Sequence, residues 1–94
     1  MTATARGRFI AGADALVRRI EMMMASISET SVTTSQLEFA LNEVRRMRSA
    51  VESGQLPPRE ARDAILARVI VDTWPLGHKV GRLITEVEDE YRGL

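Results

Sequence analysis

The sequence has no cysteine and only one histidine among its 94 residues. A chain without thiols has no disulfide framework and no thiolate metal site, and nothing in it indicates an oxidising compartment. The single imidazole, His78, leaves no histidine pair for zinc and no second imidazole for a proton relay. The sequence therefore predicts a cytoplasmic protein that holds neither a metal nor another cofactor.

Net charge and long hydrophobic runs are also missing. Thirteen basic residues balance thirteen acidic ones, and the most apolar stretch, residues 64–71, is short and contains Arg68. We therefore expect no membrane span. Apolar residues still make up 45% of the chain, close to the soluble globular average, which argues against a disordered protein. A chain of this length has room for one core, so we expect one helical domain over residues 1–94.

Apolar side chains recur at the three- and four-residue steps of an α-helix in three parts of the chain. No stretch alternates with period two, so no sheet is expected and the sequence predicts an all-α fold. The three apolar faces consist of Phe9, Ala13, Leu16, Val17, Ile20, Met24 and Ile27; of Leu37, Ala40, Leu41, Val44, Met47 and Val51; and of Leu76, Val80, Leu83, Ile84, Val87 and Tyr91.

A cluster of hydroxyl side chains at residues 28–35 marks the first break between helices. Such side chains compete for backbone hydrogen bonds and favour a loop or a helix cap. Ser35 and Glu38 have the spacing of a capping box, in which the hydroxyl accepts from first-turn amides and the carboxylate accepts from the cap's own amide. We expect the second helix to begin there.

Glycine and proline mark the other two breaks. Gly54 is suited to end a helix in the left-handed conformation, and Pro58 is suited to the first turn of the next one. At Trp74-Pro75 the proline ring removes a donor and disfavours helix at the residue before it. These breaks predict a small antiparallel bundle of four helices, or of three helices plus a long one that is kinked at the proline.

The predicted third helix, residues 58–74, is apolar around most of its circumference. Leu66, Ile70 and Trp74 form a second stripe about 100° round from the first. A helix of this kind must be covered on nearly all sides, whereas a four-helix bundle leaves each member an outward face. Either this helix is the central element of an irregular bundle, or the stripe binds another chain with Trp74 as its anchor.

Two more apolar side chains lie away from the predicted core. Met22 is opposite the apolar face of its helix, and Phe39 is about 130° from the centre of its own. Such a number of uncovered apolar residues exceeds what a small monomer shows and favours association. The predicted partner or homodimer interface comprises Leu66, Ile70, Trp74, Met22 and Phe39.

Arginines near the second break suggest a different partner. A cluster of them at one end of the bundle would suit the phosphates of a nucleic acid. Interleaved acidic residues and the scarcity of aromatic residues for base stacking argue against this hypothesis. The candidate anion contacts are Arg45, Arg46, Arg48, Arg59 and Arg62.

An alternative role for arginine is pairing within the chain. Residues 1–20 contain four arginines and one aspartate, whereas residues 85–94 contain four acids and one arginine. Each block opposes its own helix dipole, so tertiary contacts should compensate. In an up-down bundle the two blocks meet at one end, where Arg6 and Arg8 would face the acids Glu86, Glu88 and Glu90.

No catalytic or ligand-binding motif emerges, so we expect no enzyme. The sequence predicts a non-catalytic protein-protein interaction protein, forming a homodimer and acting as an adaptor, a small regulator or an inhibitor of a larger machine, as phage anti-defence proteins do. The alternative is a nucleic-acid-binding regulator that uses the arginine clusters in a dimer.

Overall fold

Four α-helices are present in the computed structural model, which describes residues 4–26 and 32–94. They are α1 (Ala5–Ala25), α2 (Thr34–Glu52), α3 (Ile65–Thr73) and α4 (Lys79–Gly93), and a 3-10 turn at Arg59–Ala61 precedes α3. Neither described range contains a β-strand. The all-α prediction is confirmed, whereas the antiparallel order and the homodimer stay predictions.

The core is built from the apolar faces that the sequence predicts for α1, α2 and α4. α1 packs against α2 and α4, and α4 also packs against α3 and α2. Leu76 is the exception, because it precedes α4 and is exposed; Ile27 lies outside the described residues. Buried members of the predicted faces are Phe9, Ala13, Leu16, Ile20, Leu37, Ala40, Leu41, Val44, Met47, Val51, Val80, Ile84, Val87 and Tyr91.

The first two helices begin at threonine caps. The Thr4 hydroxyl accepts from the amide of Gly7 at 2.9 Å. At the start of α2 the Thr33 hydroxyl accepts from the Gln36 amide at 3.2 Å, and Gln36 Oε1 accepts from the Thr33 amide at 2.6 Å. A capping box is therefore present, but it lies two residues before the predicted Ser35 and Glu38. Thr33 has the extended backbone of a cap, whereas Ser35 is already helical.

The predicted third helix over residues 58–74 is wrong in its extent. Only the 3-10 turn and the nine residues of α3 are helical, and Arg62 to Ala64 between them are not. The preceding break is as predicted, because α2 ends at Glu52 and Gly54 adopts a φ of 74°. The first predicted loop lies partly outside the described residues, and its last two residues belong to α2.

Trp74-Pro75 separates α3 from α4 and does not merely kink a longer helix. Trp74 has extended backbone angles, as the following proline favours, and Gly77 completes the turn with a φ of 78°. His78 then caps α4, its Nδ1 accepting from the Gly81 amide at 3.4 Å. The half-buried ring of His78 lies edge-on to Trp74, with the ring centroids 5.2 Å apart.

Candidate protein interface

Leu66 and Trp74, two members of the predicted interface stripe, are buried within the single chain. They are only 1% and 6% exposed, and Ile70 is partly buried beside them. Of the two alternatives for this stripe, coverage by the same chain therefore applies to Leu66 and Trp74, and their placement at an interface with another chain is wrong. Their burial makes them part of the core, and an anchor role for the Trp74 indole would require access through a surface opening.

A close crossing of α3 and α4 explains this burial. A Cβ atom added at Gly81 would lie 3.3 Å from Ile70 Cγ2 and 3.3 Å from Trp74 Cε3. Such distances are tighter than ordinary van der Waals contact, so the absence of a side chain at Gly81 lets α3 lie directly on α4. This is the close helix crossing that a glycine on an amphipathic helix favours.

The most exposed large apolar side chains of the described residues lie near the end of α3 and in the turn that follows it. Val71 is 80% exposed and Leu76 is 106% exposed. Both line a groove of about 440 Å³, which also includes Ile70 and Trp74. We call this opening the α3/α4 groove; its remaining lining residues are Pro75, Gly77, His78, Gly81, Arg82 and Thr85.

Contacts on either side of the groove hold its walls in place. Gln36 Nε2 donates to the carbonyl oxygen of Thr73 at 2.9 Å, which joins α2 to the last residue of α3. The Thr73 hydroxyl donates to the Val69 carbonyl at 2.7 Å. Because Trp74 is buried and the turn after it is set by Pro75 and Gly77, the exposed side chains project from a supported segment.

Arg82 is the charged member of the groove lining. Its side chain is exposed, and within the described ranges its guanidinium makes no ion pair or hydrogen bond. Lys79 lies one helical turn earlier on α4 and is also exposed. The groove therefore offers an apolar floor beside a positive edge.

Met22 and Phe39 are exposed as predicted, but they do not join Ile70 in one surface. Met22 is 69% exposed and lines a second groove, between α1 and α4, whereas Phe39 is half-exposed on α2 and lines neither groove. The five residues of the predicted interface are thus divided between the core and separate surfaces. Sequence periodicity identifies an apolar side chain but not which neighbour covers it.

The three candidate arginines of α2 are engaged in ion pairs. The Arg45 guanidinium lies 2.8 Å from Glu21 Oε2 on α1. Arg46 pairs with Glu43 at 2.8 Å, and this hydrogen bond raises the pKa of the Arg46 guanidinium above its ordinary value.

Arg48 connects α2 to α1. Its Nε donates to Asp14 Oδ1 at 2.5 Å, and its Nη1 pairs with Glu52. The hydrogen bond to Asp14, followed by that to Glu52, raises the pKa of the Arg48 guanidinium. These arginines remain charged in solution, but their charge is already balanced by neighbouring carboxylates.

Arg59 and Arg62 serve the end of α4. Arg62 is buried, and its Nη1 donates to the Tyr91 carbonyl at 2.8 Å, while Arg59 Nη2 donates to the Gly93 carbonyl at 3.0 Å. The last carbonyls of a helix lack partners within it, and its C-terminus carries partial negative charge. The positive charges expected to offset the acidic C-terminal end of α4 are therefore those of Arg59 and Arg62, and not those of Arg6 and Arg8.

Glu88 has a structural role, and its partners are not the arginines predicted from the sequence. It is buried, and its Oε2 and Oε1 accept from the amides of Leu66 and Ala67 at 2.8 and 2.9 Å. α3 has no side-chain cap of its own at Ala64, so the carboxylate of Glu88 replaces it. The sequence carries one signal of this burial. Residue 88 is three positions before Tyr91 and four after Ile84, which places it on the apolar side of α4.

The predicted pairing of Arg6 and Arg8 with acids near the C-terminus is not observed. Arg8 and Glu90 line the same surface depression, but over residues 4–26 and 32–94 no ion pair joins either arginine to Glu86 or Glu90. Glu88 is occupied by the amides of α3. The two charged blocks therefore leave surface charges that are not neutralised by direct contact.

No group of three or more histidine, cysteine, aspartate or glutamate side chains among the described residues is placed to hold a metal ion. None of the helices in the described part of the chain is both long enough and apolar enough to cross a bilayer. Comparison of the sequence with known family models and with curated proteins finds no match to either.

Proposed function

We propose that this protein is a non-catalytic interaction domain that binds an apolar segment of a partner protein in the α3/α4 groove. The observation that carries the proposal is the exposure of Val71 and Leu76 beside an opening lined by Trp74. Adjacent uncovered apolar side chains beside an aromatic residue are typical of protein-binding surfaces. An adaptor, a small regulator or an inhibitor of a larger assembly in the cytoplasm would use such a surface.

The energetic basis is the burial of side chains that the chain leaves in water. Complete removal of a valine or leucine side chain from water contributes about 1.5–3 kcal/mol. Burial of Val71 and Leu76 by a partner would add this free energy to binding, because the folded chain alone buries little of Val71 and none of Leu76. Because Trp74 already packs against α4, it would require little ordering when the partner binds.

The edge of the groove favours an acidic residue next to the apolar segment. Arg82 has no carboxylate partner within the described chain, and Lys79 adds a second positive charge nearby. A partner carboxylate beside Arg82 would fix the orientation of the bound segment and exclude basic competitors. The proposed ligand class is therefore a short apolar protein segment that carries aspartate or glutamate.

The alternative of nucleic-acid binding has less support. Arg45, Arg46 and Arg48 are paired with carboxylates, and Arg59 and Arg62 donate to backbone carbonyls. Binding to phosphate would require these contacts to be exchanged. A nucleic-acid-binding regulator would show steeply salt-dependent binding that charge reversal at Arg45 and Arg46 abolishes.

A peptide-display selection tests the proposed groove with random peptides in place of the partner. The wild-type protein is the bait, and V71D and L76D proteins are used to remove peptides that bind elsewhere. Both substitutions replace exposed side chains, so the fold should persist. We expect enrichment of peptides that combine apolar residues with an acid, and their binding should change the fluorescence of the single tryptophan.

The matched control is F39E, which places an acid at a half-exposed apolar position on α2. Selected peptides should bind F39E as they bind the wild type, and should bind V71D and L76D about tenfold more weakly or worse. Failure to enrich any peptide, or enrichment of peptides that bind V71D as well as the wild type, would contradict the proposal.

A further inference from the structure

A cavity beside the end of α4 is lined by two buried residues, each with a polar atom that has no hydrogen-bond partner. It encloses about 310 Å³, and its lining includes Arg62, Tyr91 and Arg46 of α2. Arg62 is 7% exposed and Tyr91 is 2% exposed. Among the described residues, none forms a hydrogen bond with Arg62 Nε or with the Tyr91 hydroxyl. We call this opening the Arg62 cavity.

One edge of the Arg62 guanidinium is available to a ligand. Its Nη1 donates to the Tyr91 carbonyl at 2.8 Å, whereas no described residue accepts from Nε or Nη2. The N–H bonds of Nε and Nη2 are parallel, and such a pair of donors matches the two oxygens of a carboxylate. Buried cations are normally paired with an anion, but Arg62 forms no ion pair within residues 4–26 and 32–94. The end of α4 supplies only partial negative charge.

The Tyr91 hydroxyl can donate to the same ligand. Its ring packs on Phe9 with the centroids 5.7 Å apart, and the guanidinium carbon of Arg62 lies 5.9 Å from the Tyr91 ring centroid. Arg46 is also near this residue. The hydrogen bond to Glu43 is the main cause that raises the pKa of the Arg46 guanidinium, and Tyr91 adds to that shift. Because arginine has donors only, neither cation can accept the hydroxyl proton, whereas an oxygen of the ligand can.

The other lining residues favour a ligand with a single negative charge and an apolar group. Glu43 forms an ion pair with Arg46 at 2.8 Å, and Asp63 adds an exposed carboxylate to the lining. Asp63 would repel a doubly charged anion more strongly than a singly charged one, which disfavours phosphate. Pro57 and Ile65 give the cavity an apolar side, where burial of a short hydrocarbon group would strengthen binding.

We propose that the Arg62 cavity binds a small monocarboxylate whose two oxygens accept from Nε and Nη2 of Arg62. The Tyr91 hydroxyl donates to one of these oxygens, and the hydrocarbon group of the ligand lies against Pro57 and Ile65. The hydrogen bond from Arg62 Nη1 to the Tyr91 carbonyl is retained. The cavity shares no lining residue with the α3/α4 groove, so this proposal does not depend on the proposed docking function.

Titration of the isotope-labelled protein with acetate, butyrate and inorganic phosphate at constant ionic strength tests this proposal. The NMR signal of the Arg62 Nε–H group reports the contact directly. We expect a saturable shift of this signal with butyrate, at a Kd of about 1 mM, as suits one small ligand. Acetate should bind about three- to tenfold more weakly, because it buries less hydrocarbon. Phosphate should cause no saturable shift.

Two substitutions in the cavity separate a ligand site from a structural role. Y91F removes only the hydroxyl, so butyrate should bind about tenfold more weakly. Without ligand, Y91F should be as stable as the wild type or more stable, because a buried hydroxyl without a partner is lost. R62K keeps the charge but not the parallel donors, and should also weaken butyrate binding about tenfold or more. Circular dichroism verifies that both variants are folded.

The matched controls are R45Q, which removes an exposed arginine of α2 outside the cavity, and D63N, which removes the opposing charge. R45Q should bind butyrate as the wild type does, and D63N should bind it at least as tightly. A cavity that holds water only would give no saturable shift with butyrate, which would overturn the proposal. Equal binding of phosphate, weaker binding in D63N, or wild-type affinity in both Y91F and R62K would also overturn it. These outcomes leave the docking proposal intact, because peptide binding tests the latter.

Discussion

The pair α1 and α2 differs from the pair α3 and α4 because α3, unlike the other three helices, begins without a cap from a neighbouring residue. The first pair begins at threonine caps within three residues of the amides they bind. In the second pair, Glu88 of α4 accepts from the first amides of α3. Gln36 of α2 donates to the carbonyl of Thr73, the last residue of α3. Local sequence therefore specifies the first pair, whereas α3 is completed by residues that are distant in the chain.

The length of α3 explains this dependence. It has nine residues, which is shorter than the roughly 12–15 residues at which isolated helices become marginally stable in water. Its position on α4 at Gly81 and the two hydrogen bonds to Glu88 provide what its own sequence does not. The same short helix carries Val71, so the proposed docking surface depends on these tertiary contacts.

Truncation of Trp74, which packs between α3 and α4, should cause the largest loss of stability. W74A removes a buried indole between α3 and α4 and should lower the free energy of unfolding by about 3–5 kcal/mol. Urea denaturation followed by circular dichroism measures the loss. If W74A kept the stability of the wild type and changed only its association, Trp74 would be an interface residue, as the sequence predicted.

Removal of the Glu88 carboxylate should have the next largest effect. E88A leaves the amides of Leu66 and Ala67 without their acceptor and should cost about 2–3 kcal/mol of unfolding free energy. Amide hydrogen exchange at these two residues should accelerate more than exchange in α2.

D89A is the matched control, because Asp89 is the exposed neighbour of Glu88. Its stability should stay within about 0.5 kcal/mol of the wild type. Equal losses in E88A and D89A, or unchanged exchange at Leu66 in E88A, would show that α3 does not depend on this carboxylate.

Loss of the ion pair between α1 and α2 should have the smallest effect. R45A removes the contact with Glu21, whose side chain and that of Arg45 are both about half exposed, so its cost should be below about 1 kcal/mol. High salt should reduce the difference from the wild type, because exposed pairs are screened. A loss comparable to that of E88A would show that both halves depend on long-range polar contacts.

The sequence predicts the apolar faces of α1, α2 and α4 because their periodicity is local. It also places the end of α2 before Gly54, where the backbone adopts the left-handed conformation. The start of α3 was not predictable in this way, since its capping carboxylate is 22 residues away. Side-chain spacing showed that Trp74 is apolar, but its burial follows from the close approach of α3 to Gly81.

The candidate site was predictable only in part. An excess of apolar surface near residues 66–74 indicated association, and Ile70 does line the α3/α4 groove. Val71 is exposed on α3 itself, whereas Leu76 lies in the turn because α3 ends at Thr73 and the chain then turns at Pro75. The break therefore decides the position of Leu76 beside the groove.

The most direct test of the docking proposal is an amide chemical-shift map of the labelled protein with a peptide obtained from the display selection. The proposal predicts shifts concentrated at residues 70–82, which include both walls of the α3/α4 groove, and loss of these shifts in V71D. Shifts centred on α2 or on the groove between α1 and α4, with residues 70–82 unchanged, would contradict it.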